Sequence, residues 1–115
     1  MLIETLECLE RAKEIVLDAK GEDVAALDVR NISGVTDYYL IVTGNNIPHI
    51  KALAESVDVG LKKAGMRCFR VSGTPESEWI AMDYFDMVVH IFSSERRSYY
   101  DLEQLWSDAP AIAES

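Results

Sequence analysis

The fold that this sequence predicts is decided by residues 78–106, which read EWIAMDYFDMVVHIFSSERRSYYDLEQLW. Residues 79–83 alternate in polarity like a strand, and a tight turn at 84–86 follows them. The apolar run at 87–92 is too short for a stable helix and indicates a strand that is covered on both faces. Residues 99–106 have the apolar spacing of a helix. The stretch therefore predicts a hairpin, a central strand and a closing helix.

The chain upstream of this stretch has the periodicity of two helices and three strands. The helices are predicted at 2–19 and from a cap at Asn45 or Asn46 to a left-handed residue at Gly65. The strands are predicted at 24–29, 35–43 and 66–71, with a loop at 72–75. The second helix crosses between the second and third strands, and the short turns elsewhere favour antiparallel neighbours. We expect an α/β fold with a mixed five-stranded sheet and flanking helices.

The length and composition are typical of one small globular domain. A chain of 115 residues with 49% hydrophobic residues can bury a stable core without disulfides or a structural metal. We expect a single domain over 1–115, with a frayed tail at 109–115. Cys8 and Cys68 have no metal-like spacing and predict two reduced thiols. With no signal peptide and no apolar run of about 20 residues, the sequence predicts a cytoplasmic protein without a membrane segment.

The charge balance bears on the kind of partner. Twenty acidic against eleven basic residues give a net charge of −9, and the basic residues are scattered. A nucleic-acid-binding protein needs basic patches that displace counterions, so no direct nucleic-acid partner is expected. An acidic surface can be steered onto a basic protein, or it can serve solubility alone. Charge alone leaves both interpretations open.

Two patterns bear on enzymatic chemistry, and both are weak. Thr43, Gly44 and Asn45 lie between a strand and a helix start, where N–H groups attract phosphate. Neither dinucleotide nor P-loop glycine spacing is present, so an ordinary turn is favoured. Asp83 and Asp86 flank a tight turn, where Asp is common, and a metal site would need more converging acids. No metal and no cofactor is therefore predicted.

The histidines and aromatic residues suggest packing or binding rather than catalysis. His90 lies in the middle of the apolar strand and is more typical of a core side chain than of a catalyst. His49 opens a helix, where it can cap the helix or contact a partner. Neither lies in a nucleophile motif, so the sequence predicts no enzyme. An aromatic set can be core or interface, and the residues leave this open: Trp79, Tyr84, Phe85, Tyr99, Tyr100 and Trp106.

Two blocks of the sequence resemble a known family. The run W-x-x-x-D-Y-x-D-x-V-V-H-I-F at 79–92, followed by YYDLEQLW and DAP, is similar to the ribosomal silencing factor family, also called Iojap or RsfS-like. The block T-D-Y-Y-L-I-V-T-G-N-N-x-x-H at 36–49 and the strand LDVR at 27–30 fit as well. The resemblance covers about residues 20–108. Phe85 departs from it, since a glycine is expected in this turn.

The resemblance implies a fold, a partner and a mechanism. It implies a nucleotidyltransferase-like fold without the catalytic residues, binding to the large ribosomal subunit through ribosomal protein uL14, and a steric block to subunit joining that lowers translation in starvation or slow growth. We expect Trp79 and Tyr100 to anchor the partner, and Asp83, Asp101 and Glu103 to meet its basic residues. The alternatives are a nucleotide-binding or nucleotidyltransferase-type enzyme on the same fold, and a homodimer formed through the hairpin edge and the aromatic residues.

Overall fold

The computed structural model describes residues 5–29, 37–84 and 86–95. Within these ranges the chain forms, in order, α1 (Thr5–Asp18), β1 (Glu22–Asp28), β2 (Tyr38–Gly44), α2 (Ile47–Lys63), β3 (Arg70–Thr74), a short 3-10 turn (Pro75–Ser77), β4 (Trp79–Asp83) and β5 (Met87–Ser93). The predicted closing helix at 99–106, the predicted tail at 109–115 and the turn residue Phe85 lie outside the described residues.

The five strands form one mixed sheet in the order β1-β2-β5-β4-β3. Strands β2 and β5 are parallel, from the pair Tyr38 and Met87 to the pair Gly44 and Ser93. The other neighbours, β1 with β2, β5 with β4 and β4 with β3, are antiparallel. The prediction of a mixed five-stranded sheet is confirmed, with β5 as its central strand. The nucleotidyltransferase-like detail stays a prediction.

The predicted strand at 66–71 is wrong in its position, because β3 begins at Arg70 and continues to Thr74. Residue 66, where the strand was predicted to begin, belongs instead to the end of α2, because the Met66 N–H donates to the Leu61 carbonyl over 2.8 Å. Gly73 (φ +81°) pairs opposite Ile80, and an added Cβ there would lie 2.1 Å from the Trp79 oxygen. A Ser-Gly-Thr segment has the composition of a loop, and only pairing with β4 makes it a strand.

Both helices pack on the same face of the sheet, which we call the helix-covered face. Helix α2 begins at its predicted cap, where the Asn46 side chain accepts the His49 N–H, and Gly65 lies in the predicted left-handed conformation just past its end. The helices bury apolar residues at helical spacing against alternate strand residues. This cluster includes Cys8, Leu9, Ala12, Val16, Ile50, Leu53, Val57, Leu61, Leu40, Val42, Val89 and Ile91.

The opposite face of the sheet, which we call the aromatic face, carries a second buried cluster. Leu27, Val29, Ile41 and Phe92 form it, with Tyr39 and Trp79 packed against it. Because side chains alternate along a strand, these residues interleave in sequence with those of the helix-covered face. Strand β5 contributes fully buried side chains to both clusters. The prediction of a strand covered on both faces is confirmed.

Candidate protein-interaction site

Strand β4 presents the two described members of the predicted contact surface on one face. The alternation of β4 points Trp79, Ala81 and Asp83 to the aromatic face, while Ile80 and Met82 are buried on the other. Trp79 and Asp83 are four residues apart, or about 13 Å along the strand. The structure therefore places both on the same face. Tyr100, Asp101 and Glu103 lie outside the described residues.

Four rings contact one another on this face, and we call them the aromatic cluster: Tyr39, Trp79, His90 and Phe92. Trp79 lies opposite Phe92 in the β4–β5 pairing, and their rings stack with centroids 5.4 Å apart and planes 12° apart. His90 stacks on Phe92 at 5.9 Å, and Tyr39 meets the His90 ring edge-on at 5.0 Å and 88°. These offset-stacked and edge-to-face arrangements are the preferred geometries of aromatic pairs.

A hydrogen bond ties Trp79 to His90 within this cluster. The indole Nε1–H of Trp79 donates to Nδ1 of His90 over 3.2 Å, and the two rings are 6.1 Å apart and 21° from parallel. An Nδ1 that accepts a hydrogen bond leaves the neutral ring with its proton on Nε2. Burial lowers the pKa of His90 to about 4, since the ring is only 8% exposed. The cluster therefore holds a neutral histidine.

The sequence left open whether Trp79 is a core residue or an interface residue. In the structure it is packed against other rings and also partly exposed. Its ring is stacked on two neighbours, yet its side chain is only partly buried, unlike Ile80 next to it and Phe92 opposite it. A partly exposed indole that is held in place by its neighbours is the kind of side chain that anchors protein interfaces. Tyr84, by contrast, is 2% exposed and packs in the cluster of the helix-covered face. Burial raises the pKa of Tyr84, which is a core residue.

The acids near the hairpin turn have backbone roles at this end of the sheet. The Asp86 carbonyl accepts the N–H groups of both Asp37 and Tyr38 over 3.0 Å, and the Asp83 carbonyl accepts the Phe69 N–H over 2.7 Å. Among the described residues, no three His, Cys, Asp or Glu side chains converge so that they could hold a metal ion. Through these carbonyl groups, the turn between β4 and β5 is hydrogen-bonded to the start of β2 and to the residue before β3.

The turn at Gly44 has the geometry of a helix start that is satisfied from within the chain. His49 Nδ1 accepts the Asn45 N–H over 2.9 Å, and its Nε2 donates to the Ala19 carbonyl over 2.9 Å. Oriented with its nitrogen toward Glu22, the Asn45 amide donates to both carboxylate oxygens at 3.0 and 3.1 Å. His49 therefore caps the helix start, and the Asn45 side chain beside it is already engaged by a carboxylate.

A cleft of about 450 Å³ opens beside this helix start, lined in part by Asn46, Pro48, Glu78 and Glu95. It lies where β2 and β5 end, the position at which open α/β sheets bind ligands. Gly44 pairs with Ser93 at this end, whereas Asp83 pairs with Val88, about 16 Å away along β5. The glycine and the acids of the nucleotide alternative are therefore not brought together.

The sequence did not single out the contact between His90 and Trp79. The two residues are eleven positions apart, and each lies two positions away from the other's direct partner across the strand pair. Tyr39 joins them from β2, which is parallel to β5 and distant in sequence. The mid-strand position of His90 indicated burial, but its hydrogen bond depends on the pairing of the strands.

Within residues 5–29, 37–84 and 86–95, neither helix has the length and apolar character needed to cross a membrane.

Comparison with known proteins agrees with this architecture. In a crystal structure of a protein from Chromobacterium violaceum, a chain 35% identical to this one superposes with a TM-score of 0.88, covering 98% of this chain and 95% of the other. The fold is therefore one that a solved relative also adopts.

Sequence relatives carry a common name. The "Ribosomal silencing factor RsfS" of Halalkalibacterium halodurans is 37% identical over 106 residues, which is 92% of this chain and 91% of the relative. The protein of the same name from Bacillus subtilis is 41% identical over 93 residues, or 81% of this chain and 79% of the relative. The family described as "Ribosomal silencing factor during starvation" matches residues 3–115. The chain therefore belongs to the ribosomal silencing factor family.

Proposed function

We propose that this protein binds the large ribosomal subunit through ribosomal protein uL14 and sterically blocks its joining with the small subunit. Translation is thereby repressed in starvation or slow growth. The observation that carries the proposal is the partly exposed indole of Trp79, stacked on Phe92 and hydrogen-bonded to His90, with Asp83 on the same strand face. A rigid aromatic anchor beside an acid is suited to a basic protein partner.

The charge of the chain supports this choice of partner. With a net charge of −9, the protein is repelled by RNA phosphates and attracted to a basic protein surface. Charges at the rim of an interface accelerate association, whereas a desolvated aromatic residue slows dissociation. In this proposal Asp83 steers and Trp79 anchors. Tyr100, Asp101 and Glu103 complete the surface in this proposal.

In this proposal the protein acts by binding, as a single cytoplasmic domain, and not by catalysis. The nucleotide alternative has a cleft in a suitable position, but Glu78 and Glu95 line it and Glu22 lies against Asn45. Carboxylates at that place oppose a phosphate group. Calorimetry with Mg-ATP and Mg-CTP tests the alternative, and binding tighter than about 100 μM, near −5.5 kcal/mol, would support it.

Self-association is proposed as a state that competes with the ribosomal partner. Strand β3 is at the end of the described sheet. Val71 within it is 55% exposed, and Phe69 just before it is 56% exposed. An open strand edge with exposed apolar side chains favours pairing with a second copy. Light scattering over a concentration series, with and without added uL14, would show whether a dimer forms and whether uL14 dissociates it.

The direct test is co-sedimentation with isolated large subunits at low salt, followed by subunit joining measured by light scattering. Wild-type protein should sediment with large subunits and slow their joining with small subunits. Purified uL14 should compete for it. As a matched control, Leu17→Ala removes an exposed apolar side chain from α1, far from the aromatic face, and should behave like the wild type. If the wild type failed to sediment with large subunits, the proposal would be abandoned.

A further inference from the structure

His90 places a hydrogen-bond acceptor directly beside the partly exposed indole of Trp79 on the aromatic face. The ring is 8% exposed and lies in the middle of the central strand, between Val89 and Ile91 on the other face. Its Nδ1 accepts the Nε1–H of Trp79 over 3.2 Å, while Phe92 stacks on one side and Tyr39 packs edge-on. A buried imidazole whose ring is held on two sides offers its lone pair in one fixed direction.

Stacking alone does not determine how an indole is oriented. The Trp79 ring lies parallel to Phe92 within 12°, but an indole turned by 180° about its Cβ–Cγ bond would lie in the same plane with its Nε1–H on the other side. A hydrogen bond is directional, and the Nε1–H of an indole is its only donor. The acceptor on His90 therefore selects one orientation of Trp79, and with it the ring edge that remains exposed.

We propose that His90 is a positioning residue, which holds the indole of Trp79 in the orientation that the partner recognises. This inference rests on the proposed function, in which Trp79 anchors the protein on uL14. A side chain that is held in its bound orientation loses less conformational freedom on docking than one that can turn. Burial keeps the imidazole neutral at physiological pH, so that its Nδ1 lone pair stays available to the indole.

The test compares two substitutions that separate the acceptor from the ring. His90→Phe keeps a ring for stacking and removes the acceptor, whereas His90→Asn loses the ring but keeps an oxygen near the position of Nδ1. We expect His90→Phe to weaken binding to uL14 by about three- to tenfold. His90→Asn should recover part of this loss. Phe92→Leu is the matched control, since it changes a ring in the cluster and leaves the acceptor in place.

Indole N–H signals in a ¹H–¹⁵N spectrum report the orientation directly. The chain has two tryptophans, so Trp79→Phe assigns the signal of Trp79 by its disappearance. We expect the Trp79 N–H to exchange with solvent faster in His90→Phe, where its acceptor is lost, and to keep its slow exchange in His90→Asn and Phe92→Leu, although the loss of a neighbouring ring moves the signal itself in these variants too. If His90 had only a structural role, its substitution would lower the urea midpoint, but the exchange of the indole N–H would not distinguish the variants that keep an acceptor from the variant that lacks one. If His90→Phe does not fold, His90→Leu is the second variant without an acceptor.

A double-mutant cycle completes the test. In the Trp79→Phe background, His90→Phe should have no further effect on uL14 binding, because the indole N–H is already absent. Unchanged exchange of the indole N–H in His90→Phe, wild-type binding by that variant, or an equal loss in the Trp79→Phe background would overturn the inference. Failure of the wild type to bind uL14 overturns the proposed function itself. In that case His90 has no role in docking either. The spectra would still decide whether His90 orients Trp79, because they do not depend on uL14.

Discussion

The two faces of the sheet are built from the same strands but have different chemistry. On the helix-covered face, α1 and α2 bury mainly aliphatic side chains completely, such as Leu40, Val89 and Ile91. On the aromatic face, the neighbouring residues Tyr39, His90 and Phe92 contribute rings, of which Tyr39 and His90 carry polar atoms, and Trp79 stays partly exposed. The first face supplies most of the core. On the second face a hydrogen bond orients the ring nitrogens of His90 and Trp79, and part of the Trp79 ring stays accessible.

This difference shows how a small domain combines stability with recognition. Apolar burial stabilises in proportion to the area removed from water and does not depend on direction. Hydrogen bonds and ring contacts depend on direction, so they orient side chains more than they stabilise the fold. We therefore expect substitutions on the helix-covered face to change mainly the free energy of unfolding, and those on the aromatic face to change mainly binding.

The largest effect is expected from truncation on the helix-covered face. Leu40 is fully buried in the helix-side cluster, so Leu40→Ala should lower the free energy of unfolding by roughly 2–5 kcal/mol in a urea melt. The fraction that remains folded should bind large subunits like the wild type. Leu17→Ala, at a position 52% exposed on α1, should change the free energy of unfolding by less than about 0.5 kcal/mol. A Leu40 variant that is stable but does not bind would contradict the division between the faces.

The buried histidine predicts a pH dependence that belongs to the aromatic face. Burial lowers the pKa of His90 from 6.5 to about 4 in the folded chain. Between these values the unfolded chain takes up a proton that the folded chain does not, so stability falls on acidification from pH 6.5 to 4. The loss should reach roughly 3 kcal/mol at most. Urea midpoints measured against pH should fall more steeply for the wild type than for His90→Phe, and equal slopes would refute the assignment to His90.

Trp79→Ala should separate binding from stability most clearly. Truncation of an anchoring aromatic residue costs on the order of 2 kcal/mol of binding energy, or about 30-fold in affinity, mostly through faster dissociation. Because Trp79 is only partly buried, the loss in unfolding free energy should be smaller than for Leu40→Ala. Binding kinetics with uL14 and a urea melt measure the two effects. Trp79 is not an anchor if its variant binds normally, or if the binding loss only follows unfolding.

The smallest effect is expected from the acid on the rim of the same face. Asp83→Asn should reduce affinity by less than about 1 kcal/mol, slow association and weaken its dependence on salt. Asp101→Asn and Glu103→Gln should act in the same way. Glu55→Gln, which removes an exposed acid from α2, is the control for net charge. Equal salt dependence for Asp83→Asn and Glu55→Gln would mean that the acidity serves solubility alone.

Local signals in the sequence determined the elements and the family. Asn46 and Gly65 mark the ends of α2 because caps depend on neighbouring backbone groups. Strand β4 has the predicted bounds because its alternation of side chains is visible within five residues. The motif blocks at 36–49 and 79–92 indicated ribosomal silencing factors, and the comparisons bear this out. Each of these signals lies within one short stretch of the chain.

The tertiary structure alone decided what depends on pairing between distant strands. Strand β3 extends over Gly73 and Thr74 because β4 supplies its hydrogen bonds, and β2 has β5 as its parallel neighbour across an intervening helix and two strands. The contact of Trp79 with His90 follows from the register of β4 and β5. No local pattern encodes these relations, because the free energy that selects a register comes from the burial of whole faces at once.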